Sequence, residues 1–388
     1  MTLLGNNLMR IAVDVRDLLI AKTGNRTYLE ELSRALPEVT DRHKFIFLAP
    51  RWKPPAGNTV WHKILGHISL YLWKEVELPW RAWREGCDVV FCTDYIVPLF
   101  YAGETIPVFH DAGFWERPQD YNRLWRLLLD VLALPAARRS AATITVSQFS
   151  KQRLASLTGI SRDRLRVVFE APKSMSLAPQ DLQSSKTTLA RYDLVDKPFL
   201  LHVGVLEKRK NLPRLVEAFA LAKQELAQDY RLVLVGQPGP KRDMDDSLLI
   251  KKTIHNLGLE QSVIMTGYIS DEELPVFYQN ANCYAFPSLY EGFGLPILEA
   301  FANDLPLVAA NCASLPEIAG DAALFFDPYD IEDMAQQIVC AVNDDTARNR
   351  LVEAGRKRIR EFSWETAARE IIEIMELVGE PQPINYDA

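Results

Sequence analysis

Cysteine is scarce in this chain and follows no pattern. Cys87, Cys92, Cys283, Cys312 and Cys340 are spread over 388 residues, an odd number without recurring spacing. Cys87 and Cys92 have no histidine or further cysteine beside them, so a zinc site or a disulfide framework is not expected and buried free thiols are. Long apolar runs are missing as well. The strongest, Leu124 to Ala137, is broken by Arg126, Asp130 and Pro135, which excludes a membrane span. No basic and apolar leader precedes the first strand pattern, Met9-Arg-Ile-Ala-Val-Asp14, so a cytoplasmic location is expected. No Gly-x-Gly-x-x-Gly follows that strand, which argues against a dinucleotide-dependent oxidoreductase. Asp243-Met-Asp245 has the form of a metal-binding Asp-x-Asp, but it lies in a polar run with no apolar strand to place it, and no metal site is expected.

What is present suits a globular protein of two domains. Apolar residues make up 48% and charged residues 24% of the sequence, enough for two ordinary cores. The net charge of −7 is unevenly spread. Residues 1–180 hold 24 Lys and Arg against 18 Asp and Glu, and the remainder 20 against 33. A basic front half suits anionic lipid or a phosphorylated acceptor, and equally a solvated imbalance without function. No nucleic-acid motif accompanies it. Within that half, Trp61 to Trp83 interleaves Trp61, Tyr71, Trp73, Trp80 and Trp83 with Lys63, Lys74, Arg81 and Arg84. Such a segment either lies on a bilayer surface or packs on its own sheet.

Short apolar runs alternate with helical patterns along both halves, which predicts parallel sheets covered by helices. The first half offers Arg10–Val15, Lys44–Pro50, Asp88–Cys92, Ile106–Asp111, Ala142–Ser147 and Arg164–Phe169 as strands. A basic amphipathic helix is expected over Tyr121–Arg139, and Ser147 as cap of a helix over Phe149–Ser156. An unpatterned stretch, Met175 to Lys197, is expected to contain the linker. The rhythm restarts at Phe199-Leu-Leu-His-Val-Gly204.

Two stretches of the second half carry chemistry. Phe286-Pro-Ser-Leu-Tyr-Glu-Gly-Phe-Gly-Leu-Pro-Ile-Leu-Glu299 reads as a strand end, a glycine loop and a helix opened by Pro296. A helix start beside a glycine loop gathers free N–H groups and the positive dipole end, which suits phosphate. Gly292 and Gly294 let backbone approach a ligand. Glu291 in the loop and Glu299 one turn into the helix border that anion site, and the combination fits a sugar nucleotide. The second stretch, Gly204-Val-Leu-Glu-Lys-Arg-Lys-Asn211, again puts cations after a strand and before a helix, which marks Arg209 and Lys210 for a diphosphate. His110 ends its strand where ligands meet doubly wound sheets. A capped helix start is expected at Ser314-Leu-Pro-Glu-Ile318.

The string P-S-x-Y-E-G-F-G-L-P-x-x-E-A and the run G-x-L-E-x-R-K-N resemble the donor-site signatures of family-4 (group 1) retaining glycosyltransferases. The resemblance implies an α/β GT-B fold, two facing Rossmann-like doubly wound domains with a cleft between them. It implies an acceptor domain over residues 9–180, a donor domain over 181–365, and a C-terminal helix over 366–388 crossing back, with Trp364 anchoring the crossover. Implied in the donor site are Gly24, Gly204, Arg209, Lys210, Tyr268, Ile269, Glu291, Gly292, Phe293, Gly294, Leu295 and Glu299. Tyr268 and Ile269 would meet the nucleobase through backbone, and Gly24, with Asn25 where the family has a further glycine, would meet the diphosphate. Glu291, His110, Arg209 and Lys210 are implied as catalytic, with no cofactor and no metal. The expected reaction is metal-independent transfer of a hexose from a nucleoside-diphosphate sugar to a glycan or polyprenyl-linked acceptor, in cell-surface polysaccharide or glycolipid synthesis. Leu72-Trp-Lys-Glu-Val-Glu-Leu-Pro79 resembles mannosyl- and rhamnosyltransferase-like members, and of their donors GDP-mannose is the one expected. A sugar-nucleotide epimerase of the same fold, or a non-catalytic sugar-nucleotide-binding module, are the alternatives.

Overall fold

The computed structural model describes residues 8–21, 24–52, 60–118, 123–173, 182–239 and 243–379. The chain divides into two compact units, Met1–Glu170 with Ser363–Ala388, and Ala171–Phe362. The family resemblance implies divisions at 181 and 366.

The first unit is built on β1 (Arg10–Asp14), β2 (Lys44–Leu48), β3 (Val89–Cys92), β4 (Glu104–Phe109), β5 (Thr143–Thr145) and β6 (Leu165–Val167). They form one parallel sheet in the order β2-β1-β3-β4-β5-β6. Ile11, Val13, Val89, Val90, Phe91, Ile106 and Val108 are buried, as expected where helices cover both faces of a parallel sheet and strands read as continuous apolar runs. The expected helix beginning at Tyr121 is described from Arg123 onward and runs to Arg139 with a π-turn over Leu129–Ala133; residues 121 and 122 lie outside the described ones. Ser147 caps the helix Gln148–Thr158, its hydroxyl accepting from the Ser150 amide at 3.0 Å. The C-terminal helix Trp364–Gly379 packs against the helix Gly24–Val39 of this unit. Trp364 meets the Tyr28 ring edge-on at 5.6 Å, and Arg42 and His43 both bond Glu376.

The aromatic segment forms one helix from Val60 to Arg84, interrupted by a π-turn over Trp73–Glu77 without a break in helical dihedrals. The wider turn lets two consecutive side chains, Trp73 and Lys74, both reach inward to Asp14. π-turns of this kind recur at functional sites. Facing outward along the same helix are Trp61, Leu65, Ile68, Leu72, Val76, Trp80 and Trp83, all exposed. One face of the segment thus packs on the sheet, and the other presents an apolar stripe to solvent.

The second unit holds β7 (Phe199–Val203), β8 (Arg231–Val235), β9 (Val263–Gly267), β10 (Cys283–Phe286), β11 (Leu307–Ala310) and β12 (Ala323–Phe326), parallel and ordered β12-β11-β10-β7-β8-β9. This is the doubly wound order of dinucleotide-binding folds, with the winding reversing between β7 and β10. Leu200 pairs with Cys283 and Leu201 with Tyr284 across that junction. The stretch expected to hold the linker instead contains the helix Leu182–Ala190, because Leu189 finds a buried position that short-range pattern does not reveal; residues 174–181 lie outside the described ones. All five cysteines are free, with Cys87, Cys92 and Cys283 buried and Cys312 and Cys340 only partly so.

Candidate active site

In an open α/β sheet the ligand crevice lies outside the carboxyl ends of the strands where the winding reverses. In the second unit these ends are Val203 and Phe286, and the loops that leave them carry Glu207, Arg209, Lys210 and Glu291. The structure brings these four together. Glu291 Oε2 accepts from Arg209 Nη1 at 2.7 Å, and its Oε1 from Lys210 Nζ at 2.6 Å. Glu207 accepts from Arg209 Nε at 3.0 Å. Backbone stitches the two loops as well, through Leu289 N to Arg209 O at 2.7 Å.

The electrostatics follow from burial and pairing. Burial pushes the Glu291 carboxyl up, but the charges of Arg209 and Lys210 more than reverse this and hold it at about 2. Burial draws the Lys210 ammonium below its ordinary value, with Glu291 opposing. The Lys210 side chain is 7% exposed and that of Arg209 30%. Two carboxylates and two cations sum to zero, so the cluster is neutral as it stands. A diphosphate engaging the cations does so in competition with Glu291.

Several residues around this cluster have roles that the sequence did not assign them. His202 is fully buried, donates Nδ1–H to Ala285 O at 3.0 Å, and is held neutral, its pKa pushed down to about 3 by burial and by Lys210. Ser314, expected to cap its helix, does not; its hydroxyl donates to the carbonyls of Glu291 and Phe293, fixing the glycine loop from behind. Steric demand also falls elsewhere than expected. A Cβ on Gly204 would make ordinary contacts, whereas one on Gly236 would lie 1.8 Å from Gly204 O. Gly236 is thus what lets β8 pass the start of the cation loop.

Gly294 ends the second loop at φ +112°, as N-cap of the helix Leu295–Ala302, a conformation only glycine adopts freely. The amides at this helix start are donors for an anion. Glu299, partly buried in the helix, accepts from Tyr278 Oη at 2.6 Å, and burial raises its pKa. Tyr268 is exposed and Ile269 buried, side by side after β9. Phe293 is buried with its ring 6.0 Å from Phe362. Asp245 accepts from the amides of Gly239 and Ser247, a loop-closing role.

Gly24 and His110 belong to the first unit. Gly24 opens the helix Gly24–Val39 and is exposed. His110 follows β4, with Nδ1 3.0 Å from Glu170 Oε1 and Nε2 3.2 Å from Thr93 O. Both neighbours are acceptors, so both ring nitrogens donate. Burial lowers the pKa of the ring, but the bond and charge of Glu170 outweigh it and raise the value above the ordinary one. The ring is thereby drawn to its charged form, and proton abstraction by it is opposed. Glu170 had no reading from sequence. Its partner lies sixty positions away, and only the adjacency of β4, β5 and β6 brings them together.

Among the described residues, one cluster has donor types a metal accepts: Asp14, Cys92 and Asp94 place ligand atoms within 4.8 Å of one another. The buried ammonium of Lys74 bonds both carboxylates, at 2.7 and 2.5 Å, so a cation already neutralises them.

Comparison with known proteins identifies the family. Residues 188–358 match the sequence model of glycosyl transferases group 1, and residues 23–170 that of glycosyltransferase family 4. The chain is 32% identical over 292 residues to O-antigen chain mannosyltransferase B of Escherichia coli, covering 74% of this chain and 75% of that protein. Sucrose-phosphate synthase from Thermosynechococcus elongatus superposes with a TM-score of 0.73 at 20% identity, over 95% of this chain and 98% of its own. Anabaena HepE, solved in complex with UDP and glucose, gives a TM-score of 0.72 at 18% identity, over 95% and 100%. At such identities the solved structures speak for the fold, which is GT-B. With two signature loops, two doubly wound units and this relative in hand, the chain belongs to the group 1, family 4 glycosyltransferases and is an enzyme that transfers sugar.

Proposed function

We propose that the protein moves mannose from a nucleoside-diphosphate donor, GDP-mannose, to a glycan or lipid-linked glycan in cell-surface polysaccharide synthesis, with retention of configuration and without a metal ion. The choice of sugar rests on the E. coli mannosyltransferase relative, and the presence of a nucleoside diphosphate on the UDP complex of the similar fold. The observation that carries the reading is the Arg209–Glu291–Lys210 cluster at the reversal point of the second sheet.

As the glycosidic bond breaks, negative charge grows on the departing diphosphate. Arg209, Lys210 and the amides of Gly294 and Leu295 are fixed in advance where that charge develops, so they stabilise the transition state more than the ground state. Two cations and a helix start supply the positive charge for which other transferases use a divalent ion. Glu291, freed from one cation by the diphosphate, accepts from hydroxyls of the sugar, and Glu299 from those of the ribose. Under retention the incoming hydroxyl and the leaving phosphate share one face of the sugar, and a phosphate oxygen takes the proton. His110, whose pKa the bond and charge of Glu170 raise against burial, serves as a hydrogen-bond donor in this scheme, not as base.

The exposed stripe from Trp61 to Trp83 is assigned to an anionic membrane. Its apolar side chains run the length of the helix, and Arg84 sits beside Trp80 at one end, 5.5 Å from the ring. Aromatic and basic residues together suit the lipid interface.

Incubating the protein with GDP-mannose, with and without a mannosylated acceptor and with a chelator, tests the main reading. GDP released only with acceptor, and undiminished by chelator, is the expected result. Release without acceptor, interconversion of the free sugar nucleotide, or loss of activity with chelator overturns it.

A further inference from the structure

Two buried side chains beside the cation cluster carry polar atoms that bond nothing. His202 and Ser288 are both fully shielded from solvent, yet among the described residues His202 Nε2 and Ser288 Oγ have no hydrogen-bond partner. A buried polar atom without a partner is disfavoured, so two of them at one site point to a second arrangement in which they are used. Their chemistry is of opposite sense. The Nδ1–H of His202 is taken by Ala285 O at 3.0 Å, which fixes the tautomer and leaves Nε2 as an acceptor. Ser288 offers a hydroxyl, which can donate.

Each stands by the ion it suits. The place that a Cβ on Gly204 would take is 3.4 Å from His202 Nε2 and 3.6 Å from Lys210 Nζ, so the two nitrogens border one gap that the glycine leaves. An ammonium has three N–H groups. That of Lys210 gives one to Glu291 Oε1 and has the Phe286 ring 5.2 Å away, with no further acceptor among the described residues. Burial, and then the charge of Lys210, keep the imidazole neutral, so its lone pair is there to accept. Ser288 lies three positions before Glu291 in the same loop, and its hydroxyl joins Arg209 and Lys210 in lowering the Glu291 carboxyl against burial. The loop itself is pinned from behind. The Cys312 thiol donates to Ser288 O at 3.3 Å and the Ser314 hydroxyl to Glu291 O at 3.0 Å.

Diphosphate binding is the event that parts the ions, because a phosphate oxygen and Glu291 compete for Lys210. Parted without substitutes, the ammonium and the carboxylate would each lose a bond inside a buried site. We propose that His202 and Ser288 are positioning residues that hold the opened cluster: as Lys210 turns to the diphosphate its ammonium donates to His202 Nε2 across the gap at Gly204, while Ser288 Oγ donates to the Glu291 carboxylate and keeps it directed at the sugar. The inference rests on the transferase reading above and adds how the cluster stays ordered once a donor has opened it. Both residues act through the cluster.

NMR of the full chain with ¹⁵N-labelled histidine tests the first half apart from catalysis. The Nε2 resonance of His202, identified by its absence in His202→Gln, should move upfield when GDP or inorganic pyrophosphate saturates the wild-type protein, as an imidazole nitrogen does on accepting a hydrogen bond. It should stay in place in Gly204→Ala, whose methyl group fills the gap at ordinary contact distances. Calorimetry and turnover then separate the two residues. His202→Phe keeps a ring but no acceptor and should bind GDP roughly tenfold more weakly; His202→Gln returns an acceptor and should recover most of that affinity. Ser288→Ala removes a hydroxyl that has no partner, so the unfolding midpoint without nucleotide should not fall and GDP should bind as in wild type. Its kcat with GDP-mannose and a mannosylated acceptor should nonetheless drop roughly tenfold, the split that a positioning role predicts and a merely structural one does not. An Nε2 signal moved by neither ligand, equal GDP affinity in His202→Phe, or a full rate in Ser288→Ala overturns the proposal. A signal that moves as expected in a protein that transfers no mannose from GDP-mannose would instead remove the transferase reading and leave the second arrangement standing.

Discussion

Replacing Glu291 by glutamine separates the two roles the structure gives this residue. The carboxyl is held at about 2 against an ordinary 4.5, and at about 1.4 kcal/mol per pH unit the gap corresponds to ~3 kcal/mol. An independent figure is similar, since removing one partner of a buried ion pair costs roughly 3–5 kcal/mol. The variant keeps the shape but leaves Arg209 and Lys210 facing one neutral amide. Hydrogen exchange in the strands Phe199–Val203 and Cys283–Phe286 should therefore quicken by about a hundredfold, at roughly 1.4 kcal/mol per decade. The strand Arg10–Asp14 of the other unit serves as internal control. The sign with pH is fixed too. A depressed carboxyl contributes stability that is complete above 4.5 and is lost as the pH falls toward 2, so this acid-side loss should be smaller in the glutamine variant. Binding gives the second readout. Glu291 and a diphosphate compete for the same cations, so the variant should bind GDP at least as tightly as wild type while transfer drops severely. Unchanged exchange in both strands would refute the ion-cluster argument. Weakened GDP binding with normal transfer would refute the assignment of the cations to the diphosphate.

Arg209→Ala removes a charge-assisted hydrogen bond of about 1.5–3 kcal/mol and should weaken GDP binding roughly ten- to a hundredfold by calorimetry; equal affinity would take its side chain away from the phosphates. Glu170→Gln should erase a pH dependence of stability. His110 has a raised pKa, so its contribution is complete below 6.5 and lost as the pH rises through the folded value, and unfolding midpoints above neutrality should differ less between variant and wild type than those at pH 5. Equal loss at both ends would show that the pair is not charged. Serine at both Trp61 and Trp83 should abolish co-sedimentation with phosphatidylglycerol vesicles and leave phosphatidylcholine vesicles unbound throughout. Failure of the wild-type protein to sediment with either would remove the membrane assignment.

The second unit was the more legible because its chemistry is local. Pro287 to Glu299 states strand end, loop, glycine and helix start within a few positions, and Gly204 to Asn211 does the same for the cations. What neither stretch states is that Arg209 and Lys210 close on Glu291. That depends on β7 and β10 being neighbours, which a chain of alternating runs permits but does not specify. Gly236 and Ser314 escaped for the same reason. Each is defined by a backbone it touches across a sheet or behind a loop, Gly204 for one and Glu291 and Phe293 for the other.

The first unit shows the limit more sharply. Lys74 reads in sequence as one of several basic residues in an aromatic helix, yet it is among the most buried side chains in the chain. The reason is the π-turn, which carries no residue signature of its own and turns Lys74 inward beside Trp73. Once there, the lysine cannot remain unpaired, because an isolated buried ammonium is far costlier than a paired one. Asp14 and Asp94 are the carboxylates at the ends of the two strands it faces. Pairing them consumes its charge, and two carboxylates against one ammonium leave a balance of −1 in a half with an excess of basic residues. Counting charges along a chain therefore gives the wrong sign for this cluster. The sign it carries is set by which cations the fold places inside.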